Sequence, residues 1–132
     1  MLIVQPEGWP RPRGYANGIV AEGRVLFVSG QVAWDEHEKF HSDDLVAQVR
    51  QALMNVLTML KAGGAKPEHV ARMTWYITDK REYMRRGKEI GAVYREFMGQ
   101  HYPTMSMVQV SALMEDRAQV EIEVTAVIPH GA

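Results

Sequence analysis

QVEIEVTAVI, residues 119–128, alternates cleanly. Val120, Ile122, Val124, Ala126 and Ile128 fall on one side of an extended chain. Glu121, Glu123, Thr125 and Val127 fall on the other. Period-two alternation over this length predicts a strand with one face on a core. The opposite face carries two carboxylates, so something other than an ordinary core must meet it. Working back, Met105 to Leu113 predicts the preceding strand. Before it, Tyr83, Gly87, Ile90, Tyr94 and Phe97 recur at helical spacing. Asp79 with Glu82 three residues on resembles a capping box at the start of that helix. Gly99 and Pro103 end it.

Val70 to Thr78, VARMTWYIT, reads as a strand. Upstream, Leu45, Val49, Leu53, Val56 and Leu60 predict a longer helix. Ser42 is its expected N-cap, with Asp43 and Asp44 at the positive end. Gly63 and Gly64 stop it, with Pro67 just beyond. Trp34 to His41 is polar and predicts a loop. Tyr15 to Ala21 and Arg24 to Gly30 predict two strands joined as a hairpin through Gly23. Gln5 to Gly14 holds three prolines and two arginines and predicts an irregular N-terminal segment. The expected order is ββαβαββ, an α+β fold over residues 1–132 as one domain. Two helices cover one face of such a sheet. The other is expected to mix Met105, Met107 and Gln109 with Glu121 and Glu123. That face is too apolar for water and too charged for a core, so an oligomer is expected to bury it.

Composition excludes several classes. The 132 residues are 46% hydrophobic and 23% charged, a globular balance. Net charge is −1, with basic and acidic residues interleaved, which leaves no bulk basic field for nucleic acid. There is no cysteine, so disulfides, thiolate nucleophiles and thiolate metal sites are excluded. The N-terminal run lacks the features of a signal peptide, and no apolar stretch reaches membrane-spanning length. The cytoplasm is the expected location.

RVLFVSGQVAWD, residues 24–35, resembles the strand carrying "VSGQ" in the Rid/YjgF family of enamine/imine deaminases, also called the endoribonuclease L-PSP family. Other segments follow in order. YANG at Tyr15 sits where the family has "YSQA". The long helix with its double-glycine stop, VYREF, PTMSMVQVSAL and VEIEVTAVIP all fall in place. The resemblance implies a chorismate-mutase-like fold, a homotrimer with clefts between subunits, no metal or organic cofactor, and hydrolysis of reactive enamines and imines to 2-keto acids and ammonia.

The resemblance also assigns residues. Glu121 matches the family glutamate that positions or activates the hydrolytic water, and a carboxylate within reach of water is what imine hydrolysis needs. On the strand pattern alone Glu121 would be an exposed strand charge, and Glu123 keeps that reading. Ser29 and Gly30 end a buried strand. Gly30 allows close backbone approach, and Ser29 is a hydrogen-bonding candidate or a strand-end hydroxyl. No His–Asp pair is spaced to make Ser29 a nucleophile. Tyr15 is a stacking candidate or a plain strand aromatic.

The departures fall in "PxRS", here Pro103-Thr104-Met105-Ser106. The family arginine that binds the substrate carboxylate is Met105, and a thioether makes no such charge-assisted contact. The family cysteine two positions on is Met107, and a family asparagine is Gly91. Met105 and Met107 are expected to form a soft apolar wall. Arg11 and Arg13 are candidates for the missing cation, or solvated loop arginines. The five histidines are scattered and form no metal set.

Three functions compete. The first is an imine or enamine hydrolase of altered specificity, weak or inactive on 2-aminoacrylate-type imino acids and partly restored on small ones by Met105→Arg. The second is a non-catalytic small-molecule-binding or regulatory trimer. The third, a ribonuclease, fits poorly with the acidic balance and the lack of a basic aromatic groove.

Overall fold

The computed structural model describes all residues, Met1–Ala132. Six strands and three helices run in the order β1 (Leu2–Val4), β2 (Gly18–Val20), β3 (Arg24–Gln31), α1 (Leu45–Ala62), β4 (Val70–Ile77), α2 (Lys80–Arg85), α3 (Gly87–Met98), β5 (Thr104–Gln109) and β6 (Val120–Ile128). A four-stranded mixed sheet has the order β3-β6-β4-β5, and β1 with β2 forms a separate two-stranded ribbon. Only the β4–β5 pairing within the large sheet is parallel.

The alternation of β6 is realised residue by residue. Val120, Ile122, Val124, Ala126 and Ile128 are buried, while Glu121, Glu123, Thr125 and Val127 are half-buried on the opposite face. Beside them on the buried face, β4 contributes Met73, Trp75 and Ile77. The apolar stripe of α1, Val49, Ala52, Leu53 and Val56, closes over β3 and β6 with no exposed surface. Each of the valine and leucine side chains contributes about 1.5–3 kcal/mol by leaving water. Gln48 is the polar residue of that stripe. Its Nε2 donates to the Ser42 and Arg117 carbonyls, and its Oε1 accepts from the Gln119 N–H, so the amide ties α1 to the start of β6 without an unpaired group.

Several boundaries differ from the sequence expectation. The N-cap of α1 is Asp44, not Ser42: the Asp44 carboxylate accepts from the Ala47 N–H, and Ser42 instead accepts from the Asp44 N–H. Asp79 caps α2 as expected, accepting from the Glu82 N–H. The expected second helix, however, is broken at Arg86, which ends α2 and begins α3. Gly87 is a poor helix former there. The Arg86 guanidinium holds Glu82, Glu89 and Asp44 together, fixing the corner to the start of α1.

The hairpin joining Tyr15–Ala21 to Arg24–Gly30 does not form. β2 pairs instead with β1, Ile19 facing Ile3, and β3 pairs with β6. Gln5 explains the switch. It donates to the Trp9 and Pro10 carbonyls and accepts from Asn17, which folds residues 5–17 into a loop and returns β2 to β1. Tyr15 is thus a loop residue, not a strand aromatic. The next residue, Ala16, bridges to Thr104 at the edge of β5.

Candidate functional site

The open face of the sheet carries the first group of residues. A bulge interrupts the β3–β6 pairing between Val28 and Gln31, placing Ser29 and Gly30 opposite the acidic side of β6. Bulges re-aim side chains locally. The Glu121 side chain lies directly over Gly30. A Cβ at residue 30 would stand 2.6 Å from the Glu121 carboxyl carbon and 2.8 Å from its Cγ. Gly30 is therefore the space that Glu121 occupies.

The two β6 carboxylates differ. Glu123 accepts a 2.8 Å hydrogen bond from the Tyr76 hydroxyl, which raises the Tyr76 pKa. Glu121 has neither a side-chain hydrogen bond nor an ion pair, so its acceptor sites are open. Ser29 is exposed, and its Oγ accepts a long 3.5 Å contact from Gln31 Nε2. It borders a shallow depression with Arg72, Thr74 and Glu123.

Met105 and Met107 belong to the other face. The parallel register sets Met105 beside Met73 and Met107 beside Trp75, and both methionines pack on the helix-side core. Tyr76, the next residue of β4, is on the opposite face and pairs with Glu121 on one side and Val108 on the other. This corrects the expectation that Met105 and Met107 share a face with Glu121. Within one chain the sheet separates them. Gln109 likewise leaves the open face: its Oε1 accepts from the Lys80 N–H at the start of α2.

Around the methionines lies a cavity of about 370 Å³ between α3, β5 and the N-terminal loop. Arg13, Gly91, Met105 and Met107 all line it, so residues far apart in sequence meet there. Tyr15 and Arg11 do not reach it. They border a neighbouring depression with His101 and Tyr102. The remaining wall of the methionine cavity is aromatic. Tyr83, Tyr94 and Tyr102 surround Trp75, and Arg95 joins Arg13 at the rim. Burial raises the pKa of both Tyr83 and Tyr94, the latter with a smaller contribution from Tyr102, so both stay neutral phenols. In the sequence, Tyr83 and Tyr94 fall on one face of a predicted helix and Trp75 within a predicted strand. Their aromatic density around one strand segment was the available signal.

No group of three or more His, Asp or Glu side chains is arranged to hold a metal ion. His41 contacts Asp35 at 2.6 Å, and that hydrogen bond, with those from the His37 and Lys39 N–H groups, holds the Asp35 carboxyl at about 2. No helix is long and apolar enough to cross a membrane.

The family model described as Endoribonuclease L-PSP matches residues 10–128. The chain belongs to this family. Within it, the chain is 31% identical to the 2-iminobutanoate/2-iminopropanoate deaminase of Salmonella typhimurium over 108 residues, 80% of each chain. The crystal structure of the Rid-family protein YyfB from Yersinia pestis superposes with a TM-score of 0.84 at 29% identity, covering 96% of this chain and 98% of that one. Escherichia coli TdcF, solved with bound serine, superposes with a TM-score of 0.69 at 32% identity, covering 98% and 100%. The L-PSP family match thus extends over both the Gly30–Glu121 face and the methionine cavity.

Proposed function

We propose that this chain hydrolyses reactive imines or enamines whose substrate-binding part differs from that of its relatives, at a site completed between copies in a homotrimer. The observation that carries this is Glu121: an unpaired carboxylate laid over a glycine on a sheet face that no helix covers. In imine hydrolysis, water adds to the C=N carbon while a base takes its proton and the nitrogen is protonated. The resulting carbinolamine then loses ammonia as its C–N bond breaks and the carbonyl forms. Glu121 is the base, and it returns the proton to the departing nitrogen. Enamines enter after tautomerising to the imine. The deaminase named among the relatives supports this reaction class.

A site that uses both Glu121 and the methionine cavity needs a second copy, because one sheet separates them. The open face suits such assembly. Phe27 is 78% exposed and Val25 51% exposed there, and Val108 lies on the same face. Val25 and Phe27, two residues apart on β3, form an exposed apolar patch of the kind that marks an interface. Sedimentation of wild type at micromolar concentration is expected to give a trimer. Phe27→Asp places a charge in that interface, and the expected result is a folded monomer with circular dichroism unchanged. A wild-type monomer would remove the shared site.

The deciding experiment measures ammonia release from freshly generated imines of varied side chain. Catalysed release at a rate proportional to enzyme supports the hydrolase. Saturable binding without ammonia supports a binding trimer, the reading that Met105 in place of the family arginine favours.

A further inference from the structure

From the methionine cavity we infer that the ligand is an aryl-bearing 2-imino or 2-oxo acid, held with its ring against Tyr83, Tyr102, Met105 and Met107 and its carboxylate at Arg13 and Arg95. The inference rests on the proposed function for the reaction but not for the binding. Two independent observations lead to it.

The first is the shape of the wall. Trp75 meets Tyr83 edge-on, with centroids 6.4 Å apart and planes at 78°, and meets Tyr94 at 6.5 Å. Tyr94 stacks on Tyr102 at 5.5 Å and 13°. Such faces and edges favour a planar ring over a flexible aliphatic chain. Met105 and Met107 add polarisable thioethers, which contact aromatic edges well and adapt to ring shape. The volume of about 370 Å³ falls within the range of small-molecule sites.

The second is charge. Arg13 and Arg95 both line the cavity, neither makes an ion pair or side-chain hydrogen bond, and no carboxylate lines it. Other arginines of the chain, such as Arg50, Arg86 and Arg117, are paired with Asp or Glu. Two unneutralised guanidiniums at the mouth of an apolar cavity call for an anion, and guanidinium suits carboxylate bidentately. The cation thus sits at the rim, while the position of the family arginine, Met105, has become part of the apolar floor.

Gly91 gives a clean test. It lies on α3 in the cavity wall, where an added Cβ meets only the flexible Arg95 guanidinium, at 3.3 Å. Leucine there improves helix propensity and fills the cavity, so lost binding is not lost folding. Calorimetry and indole fluorescence with wild type should show phenylpyruvate binding at least tenfold more tightly than pyruvate. Phenylacetone, which lacks the carboxylate, should bind at least tenfold more weakly than phenylpyruvate. Gly91→Leu should weaken phenylpyruvate at least tenfold. Arg13→Ala combined with Arg95→Ala should erase the advantage of phenylpyruvate over phenylacetone. Equal affinity for pyruvate and phenylpyruvate, or indifference to Gly91→Leu, overturns the inference. Aryl binding without ammonia release from the matching imine leaves the inference standing and removes the hydrolase. Turnover of small imines with no aryl binding does the reverse.

Discussion

Glu121→Gln is expected to lower kcat/KM for imine hydrolysis by about 10²–10⁴, the usual contribution of a positioned general base. That corresponds to about 2.7–5.5 kcal/mol of transition-state stabilisation. The amide keeps the volume and the fold but has no basic oxygen to take a proton from water. Gly30→Ala reaches the same centre by a different route. Its methyl occupies the place of the Glu121 carboxyl, so the flexible glutamate swings away while the backbone of the bulge stays put. A displacement of this size costs roughly 10² in rate when geometry is what the residue supplies. Glu123→Gln is the matched control. Its side chain still accepts from Tyr76, and turnover should stay within about twofold, as for ordinary surface substitutions. Stopped assays of ammonia release, run beside thermal melts, separate the three. If all three variants keep wild-type turnover, the carboxylate over Gly30 is not the base.

The parts of the fold legible in the sequence are those whose burial is fixed by local periodicity. Residues 120–128 alternate because one side of β6 lies under α1 and the other does not. The stripe of α1 is readable because Val49, Ala52, Leu53 and Val56 are wholly buried and Gly63 and Gly64 end the helix in sequence as well as in space. What periodicity does not carry is which strand lies beside which. β5 contains a threonine, two methionines, a serine, a valine and a glutamine, a mixture with no clear inner side. Its facing is set by the parallel register on β4, where Met73 and Trp75 draw Met105 and Met107 under α3. The same holds for β2. Its sequence fits pairing with β3 as well as with β1, and the choice falls to the hydrogen bonds of Gln5 and Asn17.

The candidate site divides along the same line. Glu121 is legible through resemblance and Ser29 and Gly30 as the end of a strand, and Gly30 meets Glu121 because a strand and its antiparallel neighbour bring them together. Arg13, by contrast, enters the cavity through a loop whose path no pattern in residues 5–17 specifies. Trp75 and Tyr94 are core residues, and Tyr83 packs against the core. They also wall a cavity because Gly91 and Gly87 leave α3 without side chains at that point. An absence of side-chain volume is visible only once the helix is placed over the strand.

Gly23→Ala is expected to be the most destabilising alanine substitution among the glycines. Gly23 holds φ at +150°, a region alanine rarely enters, at the turn leading into β3. More important is what stands next to it. An added Cβ would collide with the carbonyl of Ile128, 2.6 Å from its carbon, and would stand 3.2 Å from Pro129 Cα. Both neighbours are backbone, so no side chain can turn aside. Relief requires pulling Arg24 away from Ile128, the pair that begins the β3–β6 ladder. Backbone strain of this kind costs about 1–3 kcal/mol, and fraying the end of the ladder adds to it, for a total of about 3 kcal/mol or more. Gly64→Ala provides the comparison. Its φ of +81° is also unfavourable, but nothing lies within 4 Å of the new methyl. It should cost only the left-handed penalty, about 1–2 kcal/mol. Urea denaturation at one fixed protein concentration compares the two with the mass-action contribution of assembly held equal. A Gly23→Ala protein no less stable than Gly64→Ala would mean that the end of β6 gives way freely, and that the β3–β6 pairing starting at Arg24 contributes little to holding the bulge, Gly30 and Glu121 in place.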